Sequence, residues 1–253
     1  MTPYFYARDG EFFIPTRLAA SPWERGKQNG VALGGLATYL IETIPAPAEM
    51  TTVRLTIDIL AAAPRAATSG RCRILREGRR IQMVETELIV EDRVVARATA
   101  LRVRQQDTLP FPEIGPYPSP EDSPEAQFMD ERAFGGTLET RLVSGALREP
   151  GPAALWVRFG HHHVQDEPLS PLLRAAILGD FGGGLGSVLD RAAWTYANLD
   201  ITLHLTRAPV SDWLLIDAST ASEGNGVGRS DMILADTRGP FARGHQTLFV
   251  APR

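Results

Sequence analysis

The chain has 253 residues, of which 43% are hydrophobic, 8% aromatic and 22% charged, with a formal net charge of −4. Such a length allows one large domain or two small ones, and the composition excludes a disordered chain. The mildly acidic balance provides no global basic field for nucleic acid or anionic membranes, and the single cysteine, Cys72, excludes an intramolecular disulfide framework or a cysteine-rich zinc site.

Met1–Gly10 lacks a basic segment followed by an apolar run. No stretch reaches the roughly 18 uninterrupted apolar residues of a membrane span. The protein is therefore expected to be soluble and cytoplasmic, without membrane insertion. Val31–Ile44 is an apolar run punctuated by Gly34 and Gly35; it predicts a helix stopped by Pro45. Thr52–Ile59 places Val53, Leu55, Ile57 and Ile59 on one face, the period of a strand. Residues 69–76, 81–90 and 93–104 read as further strands, with turns at Glu77-Gly78 and Glu91-Asp92. Between Gln105 and Asp130 fall Pro110, Pro112, Pro116, Pro118, Pro120 and Pro124, without helical or strand period, which predicts a linker. Beyond it come a strand at 153–160, a helix from Pro168 to Asp180, glycines 182–184, an alternating stretch Asn198–Leu205, and strands near 213–220, 227–235 and 241–250.

The two halves repeat. An offset of 146 residues carries Thr56-Ile-Asp-Ile onto Thr202-Leu-His-Leu, Arg97 onto Arg243, Thr52 onto Asn198 and Ala100 onto Gln246. Each unit is one helix followed by four antiparallel strands, and a sheet with one apolar face must cover it. The expected fold is α+β: a double hotdog, two repeats each with a long helix wrapped by an antiparallel β-sheet. The expected division is an N-terminal repeat at 1–105, a linker at 106–130 and a C-terminal repeat at 131–253 carrying the active site.

Four stretches, in order along nearly the whole chain, resemble the acyl-CoA thioesterase II type of the double-hotdog thioesterases. They are Gly34-Gly35-Leu-Ala-Thr-Tyr-Leu-Ile-Glu-Thr-Ile-Pro45, Leu75-Arg-Glu-Gly-Arg-Arg80, Pro171-Leu-Leu-Arg-Ala-Ala-Ile-Leu-Gly-Asp-Phe181 and Gly244-His-Gln-Thr-Leu-Phe249. The resemblance implies hydrolysis of acyl-CoA to acid and CoA, with no cofactor or metal and with homo-oligomers expected. It also implies a water activated by an Asp ending the second helix, a Thr or Asn opening the next strand and a Gln on the last strand. The matching residues are Asp180, Asn198 and Gln246, with Asn198 standing where the best-known members carry Thr.

The same residues can be read without the resemblance. Asp180 at a helix C-terminus faces the negative end of the dipole; it is either a solvated loop residue or a carboxylate kept basic enough to take a proton from water. Gln246 stands in the inward row of its strand with Ala242, Gly244 and Leu248, so its amide is either satisfied by backbone or holds a water or the thioester carbonyl. Asn198 shares parity with Asp200, Thr202 and His204, the polar face, and reaches the helix only if the strand's start is turned. His161-His162-His163 reads as strand or loop histidines, of which at most His161 and His163 share a face. Glycines 182–184 are expected to end the helix and leave room for an acyl chain, and Asn29-Gly30 to cap or lead into the first helix. No Gly-x-Ser-x-Gly is present. Two rival functions remain: a hotdog hydratase or dehydratase, for which His245 beside Gln246 is the nearby candidate, and a non-catalytic acyl-CoA binding protein.

Overall fold

The computed structural model describes residues 2–22, 24–113, 115, 117–129, 134–190 and 192–253. Pro116 and Asp130 of the expected linker, and the boundary at residue 131, lie outside the described residues. In chain order the first half contains β1 (Tyr4–Asp9), β2 (Phe12–Pro15), α1 (Gly30–Thr43), β3 (Met50–Ile59), β4 (Thr68–Glu77), β5 (Ile81–Val90) and β6 (Arg93–Arg104). The second half contains β7 (Leu138–Ser144), β8 (Ala153–Phe159), β9 (His162–Val164), α2 (Pro171–Gly179), α3 (Gly182–Leu185), β10 (Trp194–Asn198), β11 (Asp200–Leu205), β12 (Leu214–Ser222), β13 (Val227–Asp236) and β14 (Gly239–Pro252).

All the strands join one sheet in the order β7-β8-β12-β13-β14-β11-β3-β6-β5-β4-β2-β1-β9, with β10 also pairing β14. The halves meet at the antiparallel pair β3–β11, where Thr56 faces Thr202 directly and their hydroxyls lie 3.4 Å apart. These are the two residues that the 146-residue offset equates. The same offset carries the pair Cys72–Thr86 of β4–β5 onto Ala218–Met232 of β12–β13, and Glu85–Thr99 of β5–β6 onto Asp231–His245 of β13–β14.

Each helix lies on the inner face of its own half. Helix α1 packs on β3, β4, β5 and β6, α2 on β11, β12 and β13, and the two helices pack on each other. The side-chain oxygen of Asn29 accepts from the Ala32 N–H at 2.7 Å and starts α1, and Ile44 before Pro45 ends it. Val31, Leu33, Leu36 and Ile41 are buried, each contributing about 1.5–3 kcal/mol through lost apolar exposure. A glycine within a helix costs about 1 kcal/mol relative to alanine. Gly35 is nevertheless required here, because a Cβ would lie 2.1 Å from the His163 ring.

Helix α2 starts at Pro171 rather than Pro168, since Ser170 caps it through the Leu173 N–H at 3.0 Å and proline suits the first helical position. The stretch Asn198–Leu205 is not one strand but two, β10 and β11, interrupted at Leu199. The short strands β1, β2 and β7 carry no expectation from sequence. Strand β1 runs parallel to β9, which ties the N-terminus to the second half.

Candidate active site

Asp180 is the C-cap of α2; its own N–H closes the last turn onto Ile177 and Leu178, and the chain then bends through Phe181 into α3. Its carboxylate is aimed at the start of α1. A Cβ on Gly30 would lie 2.6 Å from Asp180 Oδ1, so only glycine admits this approach. Part of the residue reaches solvent, yet protein surrounds the carboxylate closely enough that lost hydration pushes its pKa up to about 6. The hydrogen bond from Asn198 opposes that rise. Asp180 is therefore not the solvated loop residue that its position in sequence also allowed.

Asn198 reaches Asp180 because the strand is bulged. Asn198 pairs with Leu248 whereas Thr202 pairs with His245, so β10–β11 carries one residue more than β14 across this interval. One extra residue reverses the side-chain alternation. Asn198 thus leaves the outer face of Thr202 and His204, and its Nδ2 donates to both the carboxylate Oδ1 and the backbone carbonyl of Asp180, each at 3.1 Å.

Gln246 is buried in the inward row of β14, as its parity predicts. Its Nε2 donates to the carbonyls of Gly179 at 3.0 Å and Asp180 at 3.3 Å, and its Oε1 accepts from the Gly183 N–H at 2.7 Å. Both amide hydrogens are thereby committed to the α2–α3 joint. Asp180, Asn198 and Gln246 are brought together, and the two amides share the Asp180 carbonyl, but Gln246 is satisfied by backbone. The expectation that glycines 182–184 leave space for an acyl chain is corrected. A Cβ at Gly182 would lie 2.7 Å from Met232 and one at Gly183 would lie 2.8 Å from Leu248, so these glycines let α3 press against the sheet. They do not end the helical path either, since α3 itself begins at Gly182.

The start of α1 completes the constellation, and sequence reading assigned it only structure. Of the four N–H groups that a helix start leaves unbonded, that of Ala32 donates to Asn29 Oδ1 and that of Asn29 itself to the Ala19 carbonyl. Among the described residues, the N–H groups of Gly30 and Val31 have no acceptor within the protein, and they lie at the positive end of the dipole. The pair Asn-Gly ahead of an apolar helix was the available signal.

His161 and His163 are core residues. His163 Nε2 donates to the Ala32 carbonyl at 3.0 Å, and its ring stacks on Phe5 with centroids 5.0 Å apart. Burial pushes the pKa values of His161 and His163 down to about 3 and about 4. His245 hydrogen-bonds Asp231 at 2.8 Å, but on the outer face of the sheet, opposite to Gln246. His245 and Asp231 therefore form no acid–base pair on the helix side of the sheet.

Residues 19–103 match the family described as the acyl-CoA thioesterase N-terminal domain, and residues 116–250 match the acyl-CoA thioesterase C-terminal domain. Among solved structures, the chain is similar to a conserved protein of unknown function with hot dog fold from Alicyclobacillus acidocaldarius. That likeness has a TM-score of 0.77 at 17% identity over 97% of this chain and 95% of that one. It is also similar to the acyl-CoA thioesterase II TesB2 of Mycobacterium marinum, with a TM-score of 0.70 at 18% identity over 97% of this chain and 94% of that one. A third likeness is to the tesB protein of Mycobacterium avium subs paratuberculosis, with a TM-score of 0.66 at 19% identity over 97% of this chain and 95% of that one. These likenesses show the hotdog fold. No curated protein matches the chain. Among the described residues, no helix is long and apolar enough to cross a membrane.

Proposed function

Because the chain belongs to the acyl-CoA thioesterase family and is a thioester hydrolase, we propose that it cleaves acyl-CoA with a water activated by Asp180. The observation that carries this reading is the Asp180 carboxylate, with its pKa pushed up to about 6, held by Asn198 against the open start of α1. A base with such a pKa is largely ionised at neutral pH and accepts a proton more readily than an ordinary carboxylate.

In this reading the carboxylate takes one proton from water as the water oxygen adds to the thioester carbonyl carbon. The carbonyl oxygen becomes an oxyanion within reach of the Gly30 and Val31 N–H groups, which are already oriented and need no reorganisation. Collapse of that adduct reforms the carbonyl and breaks the C–S bond. The departing thiolate receives the proton that Asp180 had taken, giving free acid and CoA thiol. Asn198 orients the carboxylate. Gln246 acts as a positioning residue by fixing the joint between α2 and α3, with one lone pair of Oε1 left over. We read residues 1–105 and 131–253 as two hotdog repeats joined by 106–130. The second supplies the three side chains and the first supplies the helix start that faces them.

The test is thiol release over a panel of acyl-CoA substrates, with 2-enoyl thioester absorbance followed in parallel. Release by the native chain and its loss in a folded Asp180→Asn protein are expected. Hydrolysis at native rate by that variant defeats the assignment of the base, and enoyl chemistry without thiol release defeats the hydrolase reading.

A further inference from the structure

A hollow of about 580 Å³ lies away from Asp180. It lies at the tip of the β4–β5 hairpin and the end of β6, lined by Arg76, Arg79, Arg80, Arg104 and Gln106. The Gly78 N–H bonds to the Ile81 carbonyl at 3.0 Å, which makes a tight turn with Arg79 and Arg80 at its centre. The Arg104 N–H bonds to the Arg80 carbonyl at 2.9 Å, which brings the fourth arginine alongside.

Among the described residues, none of these four guanidinium groups is paired with a carboxylate. Elsewhere on the same strands Arg71, Arg73 and Arg97 hold Glu87, Glu85 and Asp58. The acid within the turn, Glu77, is held by Gln82 Nε2 at 2.9 Å instead. Four like charges around one hollow repel one another, in a chain whose net charge is −4. The fold does not require them. The 146-residue offset carries Arg76, Arg79, Arg80 and Arg104 onto Ser222, Asn225, Gly226 and Val250, and the equivalent hairpin β12–β13 forms without a cation at any of these positions.

We infer that this hollow binds a small molecule carrying two or more phosphate charges, because planar guanidinium groups without protein partners match phosphate oxygens two at a time. The site is separate from the reaction centre. Gln82, one residue beyond the turn, bonds the Pro45 carbonyl at 2.9 Å, so the hollow lies towards the C-terminal end of α1, whereas Asp180 faces its first residue. The 14 residues of α1 span about 21 Å. The inference does not depend on the proposed chemistry at Asp180.

The experiment is titration calorimetry of the full chain with pyrophosphate and with adenosine 3′,5′-bisphosphate, at low and moderate salt. One-to-one binding of at least one probe is expected, weakening as salt rises. It should weaken at least ten-fold in Arg79→Ala/Arg80→Ala, survive in Asp180→Asn, and recover in part in Arg79→Lys/Arg80→Lys. Comparison of the two probes tells a nucleotide ligand from a bare polyphosphate. The arginines are exposed, so the alanine double variant should melt with the native protein, and its thiol release without added phosphate should be unchanged. Absence of binding by both probes, or binding undiminished in the folded alanine double variant, overturns the inference.

Discussion

In the second half of the chain the helix stops at Asp180, with Asn198 and Gln246 converging on its last turn. In the first half the same offset places Thr52 and Ala100 at the positions of Asn198 and Gln246. The bulge that turns Asn198 inward has its counterpart between Thr52 and Arg54. What differs is the filling. Arg102 is buried at the end of α1 and donates to the carbonyls of Ile41 at 2.6 Å and Ile44 at 2.8 Å and to Gln82 Oε1 at 2.9 Å. The nearby carboxylate, Glu42, accepts from Ser170 Oγ at 2.5 Å beside the start of α2. One strand framework therefore supports two outcomes. A guanidinium reaches the helix carbonyls and closes one end, while a small neutral amide closes the other and leaves a carboxylate facing open N–H groups.

The sharpest break of this contrast is a matched pair of charge removals. Asp180→Asn should lower kcat by about 100-fold or more, the range of a general base, whereas Glu42→Gln should leave it within about two-fold. Equal losses in steady-state thiol release would mean that both ends catalyse. Gly30→Ala comes next. Its Cβ would meet the carboxylate at 2.6 Å, so kcat should fall about ten-fold by displacement of the Asp180 carboxylate from the helix start.

Gln246→Ala makes the second half resemble the first without supplying an arginine. It leaves the Gly183 N–H and the Gly179 carbonyl buried and unpaired, a loss of about 1–3 kcal/mol in urea denaturation. If Gln246 positions the joint, kcat should drop with KM nearly unchanged. A change confined to KM would assign it to substrate contact.

The pH dependence is smaller but has a fixed sign. The folded Asp180 holds its proton up to about pH 6, against a usual value of 3.8. Its protonated form therefore stabilises the fold at low pH, and that contribution fades as pH rises through about 6. Asp180→Asn should remove this share of the slope in denaturation at pH 5 and pH 7.5. In the native enzyme kcat/KM should climb as pH passes about 6. Smallest of all, Asn198→Thr installs the residue found at position 52 and should change kcat by only a few-fold, since a hydroxyl can still donate to the carboxylate.

Much of the candidate site's geometry was legible because its signals are local. Gln246 announced itself as an amide in an apolar row, and Asp180 as an acid where a helix pattern stops before glycines. Asn198 was legible only through family resemblance, since strict alternation put it on the wrong face. The Gly30 and Val31 N–H groups carry no side-chain signature, and the role of glycines 182–184 was misread because close approach of a helix to a sheet leaves no periodicity.

By itself the sequence determined β3 to β6, β8 and β12 to β14, the helices α1 and α2 and the offset relating the halves, because period-2 alternation and repeat spacing are written residue by residue along the chain. Only the tertiary structure decided that Leu199 interrupts the strand, that β1 pairs with β9, and that the start of one helix faces the end of the other. Each of these depends on one residue of register or on groups well over a hundred positions apart, and alternation within one strand reports neither.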